Sequence, residues 1–259
     1  MWTGEAEQEI DMTRRAAGRR PILSVDARGY SRGDSRRQSE YQQGLVDLMT
    51  ISAEAAGLRR NDWDRQKAGD GELAILPPDE PENALIDDFC RILSENVADY
   101  NEDRIEDARL RLRLAVHNGV VQPAANGYAG AGVVVVSRLV NADPARAVQD
   151  ALPRAGLVVI VSNRVFVDTV AQGHTVTRPS RFRKFTVQVK EYRDDAWLYV
   201  PGFDLRDLIL PEVPPHDEGP VRTPPQAGRS TNVPSSSVVN TFQGEVTAGV
   251  IGVQENHYG

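Results

Sequence analysis

The chain has 259 residues, enough for one large domain or two small ones, and its 40% hydrophobic and 26% charged residues are the balance of a soluble globular protein. A formal net charge of −7 argues against non-specific binding to nucleic acid or to an anionic membrane, since both repel an acidic protein. No apolar run approaches the roughly 18–20 residues that cross a bilayer, the first twenty residues lack the apolar stretch of a secretory signal, and the single cysteine, Cys90, rules out an intramolecular disulfide, so a cytoplasmic protein is expected.

Residues 1–20 are polar and aperiodic and read as a flexible leader. Residues 21–204 carry nearly all the periodic signal and form the expected domain. Residues 205–228 hold Pro211, Pro214, Pro215, Pro220, Pro224 and Pro225, which leave little room for helix or central strand and mark a linker. Residues 229–259 form a nearly uncharged tail rich in Ser, Val, Asn and Gly.

In chain order, ILSVDA (22–27) reads as a buried strand that exits at Asp26. Apolar positions at helical spacing from about 33 to 57 (Leu45, Leu48, Met49, Ala56) predict a helix. Residues 65–76 predict a hairpin around Asp70-Gly71, a strong turn dipeptide. Pro81 opens a second helix with Leu85, Phe89, Leu93 and Val97 on one face. LRLRLAVHNGVV (110–121) alternates apolar and charged residues as a strand turning at Asn118-Gly119, and 132–150 reads as helix broken near Asp143-Pro144. GLVVIVS (156–162) is a buried strand, with Ser162 or Asn163 capping a short helix. FRKFTVQV (182–189) and AWLYV (196–200) close the domain as a hairpin. The order β-α-ββ-α-β-α-β-α-β-β predicts an α+β fold: a mixed sheet with helices on one side and an embedded ferredoxin-like, or palm, β-α-ββ-α-β core.

In such a sheet the first strand and the hairpin are neighbours, so the Asp26 and Asp70 carboxylates meet at one edge. Converging carboxylates supply the hard oxygen ligands that Mg²⁺ or Mn²⁺ takes, with water and substrate phosphate completing the shell. Gly29, Tyr30 and Ser31, in the loop between Asp26 and the helix, offer backbone N–H groups to phosphates at a helix N-terminus.

Four motifs follow one another within the domain of about 180 residues: DARGYS at 26–31, a hairpin of the Lys-x-x-Gly-Asp type in KAGDG at 67–71, HNG at 117–119, and GAGVVVVSRL at 130–139. In this order they resemble the class III nucleotidyl (adenylyl/guanylyl) cyclases. The stretch RLVNADPAR (138–146) and a late strand ending in VKE (189–191) look most like actinobacterial cyclases related to the antiphage pyrimidine cyclases. The resemblance implies that Asp26 and Asp70 hold two divalent metal ions, Lys67 contacts the base, Lys190 the terminal phosphates, and Arg138 the charge growing on the α-phosphate. It also implies a head-to-tail homodimer with two shared sites, turning an NTP into a 3′,5′-cyclic nucleotide and pyrophosphate. Two positions depart from the family: its Asn four residues before the arginine is Val134 here, and its second base-contacting residue aligns with Gly127. The first loses a hydrogen bond to the reacting centre and the second removes the purine-reading pair; the likeness to the pyrimidine cyclases makes CTP or UTP the leading expected substrate. The departures also sustain an alternative, a catalytically weak pseudo-cyclase that senses nucleotide or scaffolds an effector.

Simpler roles stand beside these. Asp26 and Asp70 can be strand-end and turn residues, Lys67 a solvated edge lysine, and Arg138 a partner for an acid such as Asp143. His117 is expected to support its strand turn rather than bind metal, and Cys90 to be buried and inert. In the tail, Asn240, Phe242, Gly244 and Val246 followed by the run from Gly249 to Gln254 resemble the short amyloid-forming motifs of the RIP-homotypic kind. An effector or self-association partner is the expectation there; a floppy or docked tail is the alternative.

Overall fold

A computed structural model describes residues 17–28, 35–68, 70–124, 127–189 and 192–210. The predicted leader and linker fall mostly outside these residues, and the tail entirely so. Of the linker, 205–210 are described, and Leu205 is buried.

Strand β1 (Gly18–Ala27) is the central element. It is followed by helix α1 (Ser35–Ala55), strands β2 (Asp64–Ala68) and β3 (Gly71–Ile75), and helix α2 (82–102), which contains a wide π-type turn at Leu85–Phe89. Next come β4 (Leu112–Ala124), the short β5 (Gly127–Ala129), α3 (Ala131–Val140) and α4 (Asp143–Ala151). Strand β6 (Leu157–Ser162), helix α5 (163–170), β7 (Arg183–Val189) and β8 (Tyr192–Tyr199) complete the fold. The sheet runs β2-β3-β1-β4-β6-β8-β7, with β5 attached to β4. Only β4 and β6 pair in parallel among these; β1 is antiparallel to both β3 and β4. The β2-β3-β1-β4 half is the ferredoxin-like order that the sequence predicts.

The helices cover both faces of the sheet, not one. Leu23, Val25, Leu112, Leu114, Val159 and Val161 pack under α1 and α2, while Ile22, Ile75, Ala115, Val158 and Ile160 pack under α3 and α4. The reason is legible in β6, whose six residues LVVIVS are all buried: a strand with no polar alternation has no face left for water. A second difference lies at Asn118-Gly119. The strand does not turn there but continues to Ala124, because Gly18 to Pro21 extend β1 and pair with Asn118 to Val121.

Helix α3 sits unusually close to β4. A Cβ on Gly132 would lie 2.5 Å from Ile22 Cδ1 and 3.0 Å from the Val120 carbonyl oxygen, and one on Gly119 would lie 2.8 Å from the Gly132 Cα. Two facing glycines therefore let the helix start against the strand. Replacing Gly132 by Val is expected to force the pair apart and cost about 1–3 kcal/mol, read as a lower urea midpoint; an unchanged midpoint would contradict this tight seat.

Candidate active site

β1 delivers Asp26 to its C-terminal end, where register places it opposite Gly71 of β3 and Arg113 of β4. Asp70 is the turn residue between β2 and β3, one position before Gly71. Gly71 has to be small here, since a Cβ would fall 1.9 Å from the Val25 carbonyl oxygen. The two carboxyl groups come within hydrogen-bonding reach, so the structure brings together the pair that the strand order predicts.

Arg113, which the sequence reading passes over, organises this corner. Its side chain is 9% exposed. It donates Nε–H to the Val140 carbonyl (3.0 Å), Nη1–H to Gln149 Oε1 (2.9 Å) and Nη2–H to Asp26 Oδ2. The guanidinium thus ties β1 to the end of α3 and to α4, and occupies one oxygen of Asp26. The available signal was a charged residue inside the alternating strand LRLRLAVH, at a position facing the covered side.

Burial pushes the Asp26 carboxyl up to about 6; Arg113 pulls it down, and the Asp70 carboxyl, by hydrogen bond and by charge, pushes it up again. An Asp26 carboxylate whose ionisation is opposed by burial and by a facing carboxyl is relieved by a cation. The donor set suits Mg²⁺ or Mn²⁺, hard ions that bind through one or two carboxylates and keep positions for water and phosphate. Among the described residues no group of three or more His, Cys, Asp or Glu side chains assembles into a metal cage.

The remaining predicted residues separate. Lys67 pairs with Glu72 across the hairpin, which turns it to the α1 face of the sheet, while Asp26 and Arg113 face α3 and α4. With Asp70 it lines a cleft of about 40 Å³ against Gln42, Leu45 and Val46. Counting back from Asp70 explains this. The Lys-x-x-Gly-Asp spacing lands on Gln66, four residues before, and Lys67 is one residue too near, hence on the opposite face. Gln66 lies against Gly127, whose φ of +111° suits glycine and whose Cβ, if present, would fall 1.2 Å from Gln66 Nε2. Next to it, Tyr128 Oη–H donates to Asp64 Oδ2 (2.6 Å), joining β5 to β2.

Arg138 is not joined to Asp26 or Asp70 by any hydrogen bond or ion pair within the described residues. It lies one helical turn beyond Val134, which is 48% exposed, so the two share the outward face of α3. Arg138 Nε is buried without a hydrogen-bond partner in the described residues, and Asp143 instead lies 3.9 Å from Arg146. Gly29, Tyr30, Ser31 and Lys190 lie outside the described residues.

His117 Nδ1 lies 2.9 Å from Ser162 Oγ, which also accepts the Val165 N–H and so caps α5. Burial pushes its pKa down to about 4, keeping a neutral imidazole in a structural role. Cys90 is fully buried, and burial pushes its thiol up to about 12.

The two shifted groups act oppositely on stability. Asp26 is raised, so its contribution is present below pH 3.8 and lost as pH climbs through about 6; His117 is lowered, so its contribution is present above pH 6.5 and lost as pH falls towards 4. Asp70→Asn, which removes the facing charge, is expected to raise the melting temperature of the metal-free protein at pH 7 and to abolish the rise that Mn²⁺ gives the wild type. Asp26→Asn is expected to lower the melting temperature, with a loss of roughly 3–5 kcal/mol in unfolding free energy, because Arg113 stays buried without its counter-ion. Equal behaviour of both variants in a thermal melt would contradict this division.

No family model and no curated protein matches the chain. Solved structures do. The adenylate/guanylate cyclase/hydrolase from Silicibacter pomeroyi is 22% identical, with a TM-score of 0.50 over 72% of this chain and 99% of that one. A bacterial light-regulated adenylyl cyclase is 14% identical, with a TM-score of 0.51 over 73% of this chain and 54% of that one, so the present chain spans about half its length. At such identities the likeness is one of architecture, and it agrees with the strand order and the helix layers: the chain has the α+β, palm-like fold of class III nucleotidyl cyclase catalytic domains.

Proposed function

We propose that this chain is a metal-dependent nucleotidyl cyclase. The observation that carries the reading is the convergence of Asp26 and Asp70 at the strand ends, with Arg113 holding one Asp26 oxygen. Asp26 and Asp70 would hold two divalent ions, Mg²⁺ or Mn²⁺, which when bound neutralise phosphate charge and acidify a neighbouring hydroxyl. The reaction forms a bond from the ribose 3′-oxygen to the α-phosphorus and breaks the α–β bridge, releasing pyrophosphate. Backbone N–H groups at Gly29, Tyr30 and Ser31, together with Lys190, are the proposed phosphate contacts.

Arg138 is the proposed stabiliser of charge on the α-phosphate. Its place on an outward face supports supply from a second copy of the chain, giving a homodimer with shared sites. Val134 on the same face offers no hydrogen bond to the reacting centre; one missing donor of this kind costs about 10²–10³ in rate. The base contact passes from Lys67 to Gln66. A carboxamide gives one acceptor and two donors without charge, and Gly127 leaves space for it where a larger residue would displace it. This neutral reader supports a pyrimidine nucleotide, CTP or UTP, as substrate. Antiphage signalling, with the 229–259 tail recruiting an effector or another copy, completes the proposal; the tail lies outside the described residues.

A second reading, a weak or inactive cyclase that senses nucleotide, is favoured by the exposed Val134. Incubation with Mn²⁺ and each of the four NTPs, with products identified by mass spectrometry, separates the two. A single cyclic pyrimidine nucleotide, lost in Asp26→Ala and Asp70→Ala and reduced roughly 10²-fold or more in Arg138→Ala, is the expected outcome. With Gln66→Ala, selectivity among bases is expected to fall more than total turnover. Absence of product from every NTP, with Mn²⁺-dependent NTP binding retained, would overturn the enzyme in favour of the sensor.

A further inference from the structure

Beyond the rim where Asp26 lies, the start of β4, the end of α2 and the 152–156 segment before β6 enclose a cavity of about 240 Å³. Arg109, Arg111 and Arg154 line it, against one acid, Glu102. Another, larger cavity, about 410 Å³, also contains arginines, but two of its three are spent on the protein: Arg91 pairs with Asp88 and Glu95, and Arg181 donates to the Phe203 carbonyl. The smaller one differs. Among the described residues Arg154 makes no hydrogen bond or ion pair, and Arg109 reaches only the Arg104 carbonyl, which leaves its charge uncompensated.

Arg111 is the most informative of the three. Its Nη2–H reaches the Leu152 carbonyl only at 3.4 Å, and its Nε is buried with no hydrogen-bond partner. A buried donor without an acceptor is a cost that a folded protein normally avoids. Burial and the nearby Arg28 charge both lower its pKa, while Glu106 offsets them in part, so positive charge is in excess here. Arg28 itself is neutralised by Asp150, which leaves the excess on the three cavity arginines.

We propose that this cavity binds a small inorganic phosphate anion, orthophosphate or pyrophosphate. Planar guanidinium forks match phosphate oxygens in pairs, an oxygen would satisfy the orphaned Nε–H, and the volume lies below the range usual for drug-sized ligands. The proposal does not rest on the roles given to Asp26 and Asp70. Arg111 lies two residues from Arg113 along β4, and its carbonyl accepts the Arg28 N–H (2.9 Å), so the anion would sit beside the candidate active site without using its carboxylates.

The test is calorimetric titration of the full chain, in chelator and at matched ionic strength, with orthophosphate and separately with pyrophosphate. Three proteins are compared: wild type, the double variant Arg109→Gln/Arg154→Gln, whose residues are exposed and should fold normally, and Asp70→Asn. Saturable binding of either anion to wild type, weakened at least about tenfold in the double variant and unchanged in Asp70→Asn, is the expected result; the anion that binds more tightly names the ligand. No binding of either anion, equal affinity in the double variant, or a loss confined to Asp70→Asn would overturn the proposal.

Discussion

The geometry of the candidate site depends on one buried ion pair. Asp26 ends the central strand with its side chain 19% exposed, the buried Arg113 lies opposite it in register, and removing Asp26 would leave the guanidinium without its counter-ion. Through its three donor groups Arg113 also fastens the end of α3 and the body of α4 to the sheet. The helix that carries Arg138 and the strand that carries Asp26 are therefore held by the same guanidinium. The tight seat of Gly132 against β4 fixes the other end of α3. Between these two anchors the helix has little freedom, so its outward face, with Val134 and Arg138, is presented as a fixed surface.

A second buried pair does the same for the hairpin. Arg60 donates to both oxygens of Glu72 (2.6 and 2.9 Å) and lies over the Trp63 ring, while Trp63 packs edge-on to Phe89 of α2. The hairpin that ends in Asp70 is thereby braced against the helical layer beneath it. Both anchors are arginines, whose forked donors fix a direction as well as a charge. Among the described residues the site is built from strand ends and a tight hairpin turn rather than from long loops.

Much of the fold was legible in the sequence because its strands carry strong local signals. The Asp70-Gly71 turn, the apolar run at 157–162 and the Pro144 break in the helical stretch all appear where composition alone puts them. The convergence of Asp26 and Asp70 followed from strand order, since β1 and β3 are neighbours in a palm. What escaped was set by long-range pairing. The β1 extension through Gly18 to Pro21 straightens Asn118-Gly119 into strand, and no local rule foresees a partner a hundred residues away. The side reached by a strand residue was the other failure. Counted back from Asp70, the hairpin motif lands on Gln66 rather than Lys67, and with a period of two that single step crosses the sheet. Arg113 was missed for a related reason: an arginine in an alternating strand reads as solvent-facing until the second helical layer is seen.

The central claim is that Asp26 and Asp70 together form a divalent-cation site. Anomalous scattering from crystals of the wild-type protein soaked with Mn²⁺ and a non-cyclisable NTP analogue tests it most directly. The account predicts manganese peaks within about 2.0–2.6 Å of oxygens from both carboxylates, with the analogue's phosphates on the same ions and Arg113 still engaged with Asp26. Manganese bound elsewhere, or a nucleotide bound with both carboxylates free of metal, would contradict it.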